Sequence, residues 1–341
     1  MTAILVTGGA GYVGAHACKA LAQAGYLPVT FDNLSTGHES FVRWGPLVRG
    51  DIRDKASVLK AINDHTAKAV LHFAASAYVG ESVTDPQKYY ENNVAGSLSL
   101  LGAMLEADCR NIVFSSTCAI YGEPRELPIV ETAPANPVNP YGASKFMVER
   151  VLADYGQAYS LKSIALRYFN ASGADPDDEI GELRNPETHL IPRAMMAIQG
   201  HIADFAVFGT DFETPDGTAI RDYIHVSDLA DAHVSALQRL LAGRCDGAFN
   251  LGTGDGYSVK QVLDAIAAET GVPLEAVPGA RRQGDPPVLV ADATLAKNEL
   301  GFTTKFSSLN SIVKTACAWH QRAHPKRPIH METEEARPVV P

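Results

Sequence analysis

The stretch Ala3-Ile4-Leu5-Val6-Thr7-Gly8-Gly9-Ala10-Gly11-Tyr12-Val13-Gly14 decides how the rest of the chain is read. A five-residue apolar run closes on glycines, as a strand buried on both faces does. Helical spacing then runs from Tyr12 to Ala24 and stops at Gly25. Gly8, Gly11 and Gly14 let the backbone approach a pyrophosphate, and a helix starting there offers it unpaired N–H groups. A second apolar run, Leu27–Phe31, is closed by Asp32. A carboxylate at that place accepts from adenosine ribose hydroxyls and repels a 2′-phosphate, which favours NAD over NADP. A tight strand-to-helix turn without a ligand is the competing reading. Strand, loop, helix and Asp in register argue against it.

Outward from this unit the alternation continues. Short apolar runs end near Val48, at Ala69–Ala74, at Ile112–Ser115 and at Ser163–Tyr168, with helical stretches at Asp54–Asn63 and Pro86–Ala107. Asn139-Pro140 supplies an N-cap and a first-turn proline for another helix. Strands alternating with helices predict an α/β fold with a doubly wound parallel Rossmann-type sheet. The pattern changes after Gly173, where Ala174–Asn185 is acidic and rich in loop formers. Pro192–Gly200, Val259–Thr270 and Leu309–Arg322 read as helices of a smaller α/β lobe, and Phe205–Phe208 as extended. Arg221–Val226 and Ala248–Leu251 are expected to return to the main sheet. Pro325–Pro341, with three prolines and several charges, reads as a loosely attached tail.

The chain has 341 residues and a net charge of −10, which argues against a non-specific nucleic-acid binder. No apolar run is long enough to span a bilayer. No basic segment precedes the first strand, so no signal peptide is visible. The five cysteines, Cys18, Cys109, Cys118, Cys245 and Cys317, are odd in number and lack metal-ligand spacing, which points to reduced thiols in a cytoplasm. The histidines show no convincing ligand pair, so no metal is expected. Cys118 lacks an activating base and reads as a small buried thiol. Glu81, Asp85 and Glu91 read as helix-end or surface charges rather than an acid/base pair.

Tyr141 and Lys145 stand four apart on the helix that opens at Asn139, and so share a face. A free tyrosine titrates near ~10, and bringing it to neutrality takes about 4 kcal/mol. One ammonium about 5 Å away supplies roughly 3 kcal/mol at an effective dielectric near 20. An oxidised nicotinamide ring would add to that. Lys145 is therefore expected to hold Tyr141 as a base. Ser115-Ser116-Thr117 ends a strand at the expected switch point of the sheet, where a hydroxyl can bond the reacting oxygen. A chance Tyr/Lys pair on a solvated face is the bland alternative. It loses ground once the dinucleotide loop and the strand-end hydroxyls stand beside the pair.

These stretches resemble the extended short-chain dehydrogenase/reductase family, over nearly the whole chain to about His324. Carrying the resemblance are Thr7–Gly14, Asp32-Asn33-Leu34, Gly50–Arg53, His72–Ala75, Tyr90–Val94, Ser115–Gly122, Pro140–Lys145, Leu166–Gly173 and Asn250–Gly252. Tyr168-Phe169-Asn170, Arg221–His225 and Arg281–Asp285 are more particular to the family's epimerases. The resemblance implies an isomerase that inverts C4 of a UDP-hexose, UDP-glucose to UDP-galactose, through a 4-keto intermediate with NAD retained. It implies an NAD site lined by Gly8, Gly11, Tyr12, Val13, Gly14, Asp32, Asn33, Asp51, Ile52, Phe73, Ala74, Ala75, Asn93, Lys145 and Phe169. Thr117, Tyr141, Asn170, His189, Leu190, Ala206, Val207, Phe208, Arg221, Arg282, Asp285 and Leu289 would surround the UDP-sugar. Two arginines suit a diphosphate, and Asp285 suits ribose hydroxyls. The resemblance also implies a homodimer built on Pro86–Ala107 and Tyr141–Tyr159. Residues 1–173 would hold NAD, joined by strands from about 220–251, and 174–341 would form mainly the UDP-sugar lobe and the tail.

The chain departs from the family's pattern at three places. Ala77 stands where some members have Lys, and His189 where Asn often precedes the leucine. Leu289 occupies the position that gates pocket size, intermediate between a tyrosine that favours plain hexoses and small residues that admit N-acetyl sugars. An N-acetylhexosamine or pentose 4-epimerase is therefore an open alternative. A 4,6-dehydratase needs an acid pair after Thr117, where Cys118-Ala119 stands. A non-enzymatic NAD sensor typically lacks the Tyr/Lys pair kept here.

Overall fold

The structure, a computed structural model, describes residues 1–244, 247–282 and 284–323. Cys245 and the expected tail lie outside the described residues. The first half alternates β1 (Ala3–Thr7), α1 (Tyr12–Gln23), β2 (Leu27–Asp32), β3 (Leu47–Arg49), α2 (Lys55–His65), β4 (Ala69–His72), α3 (Val79–Thr84), α4 (Pro86–Tyr89), α5 (Gly96–Glu106), β5 (Asn111–Thr117), α6 (Pro140–Tyr159) and β6 (Lys162–Tyr168). The second half holds β7 (Asn170–Ser172), α7 (Leu190–Ile198), β8 (Ala206–Phe208), β9 (Ile220–Arg221), β10 (Tyr223–His225), α8 (Val226–Leu241), β11 (Ala248–Leu251), β12 (Tyr257–Ser258), α9 (Val259–Thr270), β13 (Val277–Gly279), β14 (Val288–Leu289), α10 (Thr294–Leu300) and α11 (Leu309–Ala323).

Seven strands form the main sheet in the order β11-β6-β5-β4-β1-β2-β3, and every pairing in it is parallel. Parallel strands need crossover helices, which cover both faces. One face packs Ile4, Val6 and Leu71 against Leu21 of α1 and Leu229, Leu237 and Leu240 of α8. The other packs Leu5, Val70 and Phe114 against Ile62 of α2, Leu100 and Met104 of α5, and Val148 and Leu152 of α6. A separate core in the second lobe joins Ile191 and Met195, Val262 and Ile266, and Ile312 and Val313.

Three expectations are corrected. The strand order reverses between β1 and β4, so the crevice opens there and Ser115–Thr117 lies one strand further out. Ala248–Leu251 does join the main sheet as β11, but Arg221–Val226 does not. That segment splits into β9, which lies between β12 and β14, and β10, which pairs with β7. Asp222 makes the break. Its buried carboxylate accepts from the N–H groups of Thr253, Gly254 and Ala291 and from the Thr253 hydroxyl, pinning the chain between β9 and β10 to two loops. The helix expected over Pro86–Ala107 is interrupted by a π-wound stretch at Tyr90–Ala95. That stretch turns Asn93 inward, where its amide exchanges hydrogen bonds with the Ser76 backbone and donates to the Ser144 hydroxyl.

Candidate active site

The glycine loop joins β1 to α1 at the carboxyl edge of the sheet. Gly8 has φ +74°, and a Cβ there would stand 2.6 Å from the Ala74 nitrogen. A Cβ on Gly14 would meet the Gly8 carbonyl. The loop is thus closed against the segment after β4, which a side chain would pry open. Helix α1 begins with Gly11 at its N-cap and no side chain capping it, so its first N–H groups are free for an anion. Asp32 ends β2 with one carboxylate oxygen accepting from Ala10 N–H at 3.0 Å and the other from Leu34 N–H at 2.8 Å. Burial nevertheless holds its pKa above the usual carboxylate range. Each oxygen keeps a lone pair for a ribose hydroxyl. Asn33 donates to Asp51, whose pKa Arg53 holds low, and Ile52 is buried below them. This bare-backbone cradle, free helix N-terminus and fixed carboxylate fit a dinucleotide.

The structure assigns several expected cofactor residues a different first duty. Tyr12 donates its hydroxyl to the Gly173 carbonyl at 2.6 Å, tying α1 to the end of β7. Val13 packs on the sheet core, and Phe73 stacks on His233 at 4.6 Å between centroids. The side chain of Asn93 is spent on Ser76 and Ser144, so it shapes the Phe73–Ala75 loop rather than presenting a free amide.

Tyr141 and Lys145 lie on α6 across from the end of β5. Lys145 donates to the Ser115 carbonyl at 2.8 Å and sits 4.9 Å from the centre of the Phe114 ring. Burial lowers its pKa to about 7, against the pull of Glu149. The Thr117 hydroxyl lowers the pKa of Tyr141, but desolvation and Tyr168 push it further the other way. The Lys145 ammonium is engaged by the Ser115 carbonyl, and Thr117 and the more remote Arg184 favour the phenolate. Tyr168 in turn bonds Ser115 hydroxyl to hydroxyl at 2.5 Å.

The other wall comes from the second lobe. Phe169 is buried in a cluster with Ile120, Tyr121, Ile129 and Ala291, against which Cys118 and Leu289 pack. In the β9–β14 pairing Leu289 is opposite Arg221. Arg221 and Asp285, expected to bind separate parts of a ligand, are paired with each other at 2.5 Å. Arg282 lies 4.6 Å from the centre of the Phe208 ring. Val207, the middle residue of β8, has its side chain buried in the second lobe's core, between Ala206 and Phe208. Asn170 opens β7, and its N–H bonds the Asp222 carbonyl. His189 and Leu190 start α7 and line, with Asn170 and Glu182, a small recess.

Sequence reasoning missed the charges around that recess. His189 stands 2.7 Å from Glu182 and 3.6 Å from Glu187, and Arg184 bonds Glu182 at 2.9 Å. Burial opposes the charge on His189, but Glu182 outweighs it and holds the imidazolium form. A second acidic group, Asp175, Asp177 and Glu179, closes on the ammonium of Lys19 from α1. In both groups a basic side chain already occupies the position between the carboxylates. The signal for either was only a run of acidic residues after Gly173.

The chain belongs to the NAD-dependent epimerase/dehydratase family, whose profile matches residues 4–252. It is similar to the UDP-glucose 4-epimerase of Rhizobium leguminosarum bv. trifolii, with 51% identity over 321 residues covering 94% of this chain and 98% of that one. A crystal structure of UDP-glucose 4-epimerase from Brucella ovis in complex with NAD is 54% identical, with a TM-score of 0.91 over 93% of this chain and 98% of that chain. A UDP-glucose 4-epimerase from Stenotrophomonas maltophila with bound NAD and formylated UDP-arabinopyranose is 41% identical, with a TM-score of 0.91 over 95% of this chain and 98% of that chain.

Proposed function

We propose that this chain is an NAD-dependent isomerase that interconverts UDP-glucose and UDP-galactose by inverting C4. The observation that carries the reading is the meeting of Tyr141, Thr117 and Lys145 beside the glycine cradle, on one edge of one sheet. The Gly8–Gly14 loop, Asp32 and the Phe73–Ala75 segment would hold NAD, which when bound would supply the hydride acceptor and donor that inversion at C4 needs. Tyr141 takes the C4 hydroxyl proton, and Thr117 bonds the same oxygen and steadies the charge that develops there. Once a ketone stands at C4, Tyr141 keeps the proton for return to that oxygen. Arg221 and Arg282 grip the diphosphate while the sugar turns over. Cys118-Ala119 after Thr117 offers no acid pair for a dehydratase. The cofactor side is the part up to residue 173 with β11, and the sugar side is mainly residues 174 onward.

We place the enzyme in the cytoplasm as a homodimer. Among the described residues no helix is long and apolar enough to cross a membrane, and Cys18, Cys109, Cys118 and Cys317 are unpaired thiols. Val79, Val83, Leu98, Phe146 and Met147 are exposed on α3, α5 and α6, an apolar face suited to an isologous pairing. Light scattering at micromolar concentration checks it, and a monomer overturns it. The reaction is tested by supplying UDP-galactose to the purified protein without added NAD and following UDP-glucose. Absence of interconversion across a panel of UDP-sugars sinks the enzymatic reading and leaves an NAD sensor.

A further inference from the structure

Three successive residues at the end of β5 each face helix α6, toward three side chains spaced one turn apart. The Thr117 hydroxyl faces Tyr141 and lowers its pKa, the Ser115 carbonyl takes Lys145, and the Ser116 hydroxyl donates to Glu149. Residues 141, 145 and 149 are i, i+4 and i+8, a single stripe of the helix. The first two are the acid/base pair of the proposed reaction. The third touches neither ligand site, yet it is the most elaborately held. Glu149 is 9% exposed and takes a two-pronged pairing from Arg167 of β6, at 3.1 Å and 2.6 Å. Arg167 is fixed in turn by the Tyr121 hydroxyl and the Glu131 carbonyl. A carboxylate so enclosed, with its cation, is costly to maintain unless it serves something.

We propose that Glu149 is a positioning residue of the reaction: it clamps Ser116 so that Ser115 and Thr117 meet Lys145 and Tyr141, and its charge keeps Lys145 an ammonium. The groups facing Lys145 leave few other candidates for that charge. His72 approaches from β4, and burial keeps it neutral. Tyr168 comes from β6 and is also held protonated. Arg167, from the same strand, is a like charge that Glu149 screens. Tyr141 shares the helix and is neutral until it reacts. Tyr89 lies edge-on to Tyr141, and Arg184 acts on Tyr141 rather than on Lys145. Of the charges acting on Lys145, Glu149 is the one that favours its charged form. Without Glu149, Arg167 would stand uncompensated in the same interior and drive the proton off Lys145.

The inference rests on the epimerase reading, which wild-type turnover of UDP-galactose tests by itself. The inference is tested only by differences between variants and wild type. Glu149→Gln keeps an acceptor for Ser116 and removes the charge. Its pH window for turnover is expected to narrow from both sides by about one pH unit in total, because Lys145 loses its proton earlier and Tyr141 gives one up later. The phenolate absorbance of Tyr141, obtained by difference against the same variant carrying Tyr141→Phe, should move to higher pH. Ser116→Ala cuts the clamp and leaves the charge. Its turnover should fall about tenfold, with KM for UDP-galactose within about twofold and the window unmoved. A wild-type window and phenolate titration in Glu149→Gln overturn the electrostatic role. Wild-type turnover in Ser116→Ala overturns the clamp. If Glu149→Gln fails to retain NAD and unfold cooperatively, Ser116→Ala decides alone.

Discussion

Tyr141 is the residue on which the proposed chemistry turns, and its surroundings keep it protonated at rest. Desolvation and Tyr168 raise its pKa, and the Thr117 hydroxyl only partly offsets them. A base held this way acts when the reacting oxygen and a positive ring are placed beside it. Tyr141→Phe removes the hydroxyl and little volume. Turnover is expected to drop at least ~10²-fold, the low end for general acid–base catalysis, with UDP affinity almost kept. Near-wild-type turnover measured on UDP-galactose excludes Tyr141 as the base. Leu289 bears on the other half of the proposal, which sugar enters. It packs, partly buried, against the cluster of Ile120, Tyr121, Ile129, Phe169 and Ala291, so a larger side chain there has to take up the remaining open space. UDP-glucose and UDP-galactose are expected as the preferred pair, with weak activity on N-acetyl analogues. Leu289→Tyr should suppress that activity and Leu289→Ser raise it, within the ~10–200-fold that apolar pockets achieve. Specificity constants of the three proteins on both sugar types check this, and unchanged ratios remove Leu289 as the gate.

At the scale of elements, the junction of β1 and α1 carries the most consequence per residue. Gly8→Ala would force an L side chain into φ +74° and press a methyl on Ala74. The backbone strain alone is of order 1–3 kcal/mol, and relief of the clash displaces the Phe73–Ala75 loop. The variant should melt several degrees lower and purify with little NAD, as thermal unfolding and bound-nucleotide absorbance will show. An unaltered NAD content contradicts the cradle. This junction was also the most legible part of the sequence, because glycine spacing and apolar runs are local signals. The Tyr141/Lys145 stripe was legible for the same reason. What could not be read was every pairing between distant segments. Asp222 meets Thr253 and Ala291, Lys19 meets Asp175, and Arg221 meets Asp285, each across dozens of residues. In sequence each of these is a lone charge, indistinguishable from a solvated one, and only tertiary packing removes the water. For that reason the break between β9 and β10 and the Arg221–Asp285 pairing leave no mark in the sequence. Asn93 enters the expected cofactor site through the family resemblance, and its π-wound setting leaves no periodic trace in the sequence.

For the whole molecule, the buried imidazoles set an acid limit. His16 and His72 are pushed down to about 3, and His225 and His233 to about 4, in each case chiefly by burial. They lie in different places: His16 on α1, His72 at the end of β4, His225 at the end of β10 and His233 on α8. All four are neutral in the folded protein at pH 7, and in the unfolded chain they titrate near ~6.5. Above that value neither state takes up protons at these sites, and they add no pH dependence. Below it the unfolded chain binds protons that the folded one refuses, so stability falls as the pH drops from about 6.5 toward 3. Each such histidine can contribute up to about 1.4 kcal/mol per pH unit in that window. His233 offers the cleanest probe. Its ring stacks on Phe73 and Tyr168, its Nδ1 bonds the Leu229 carbonyl at 2.8 Å, and its Nε2 is buried without a partner. His233→Phe keeps an aromatic ring in that stack and removes the titration. Melting temperature followed from pH 7 to pH 4.5 should decline for the wild type and decline less steeply for His233→Phe, by the weight of one proton. A melting temperature that stays level across that range in the wild type would show that the four histidines accept protons without unfolding the fold.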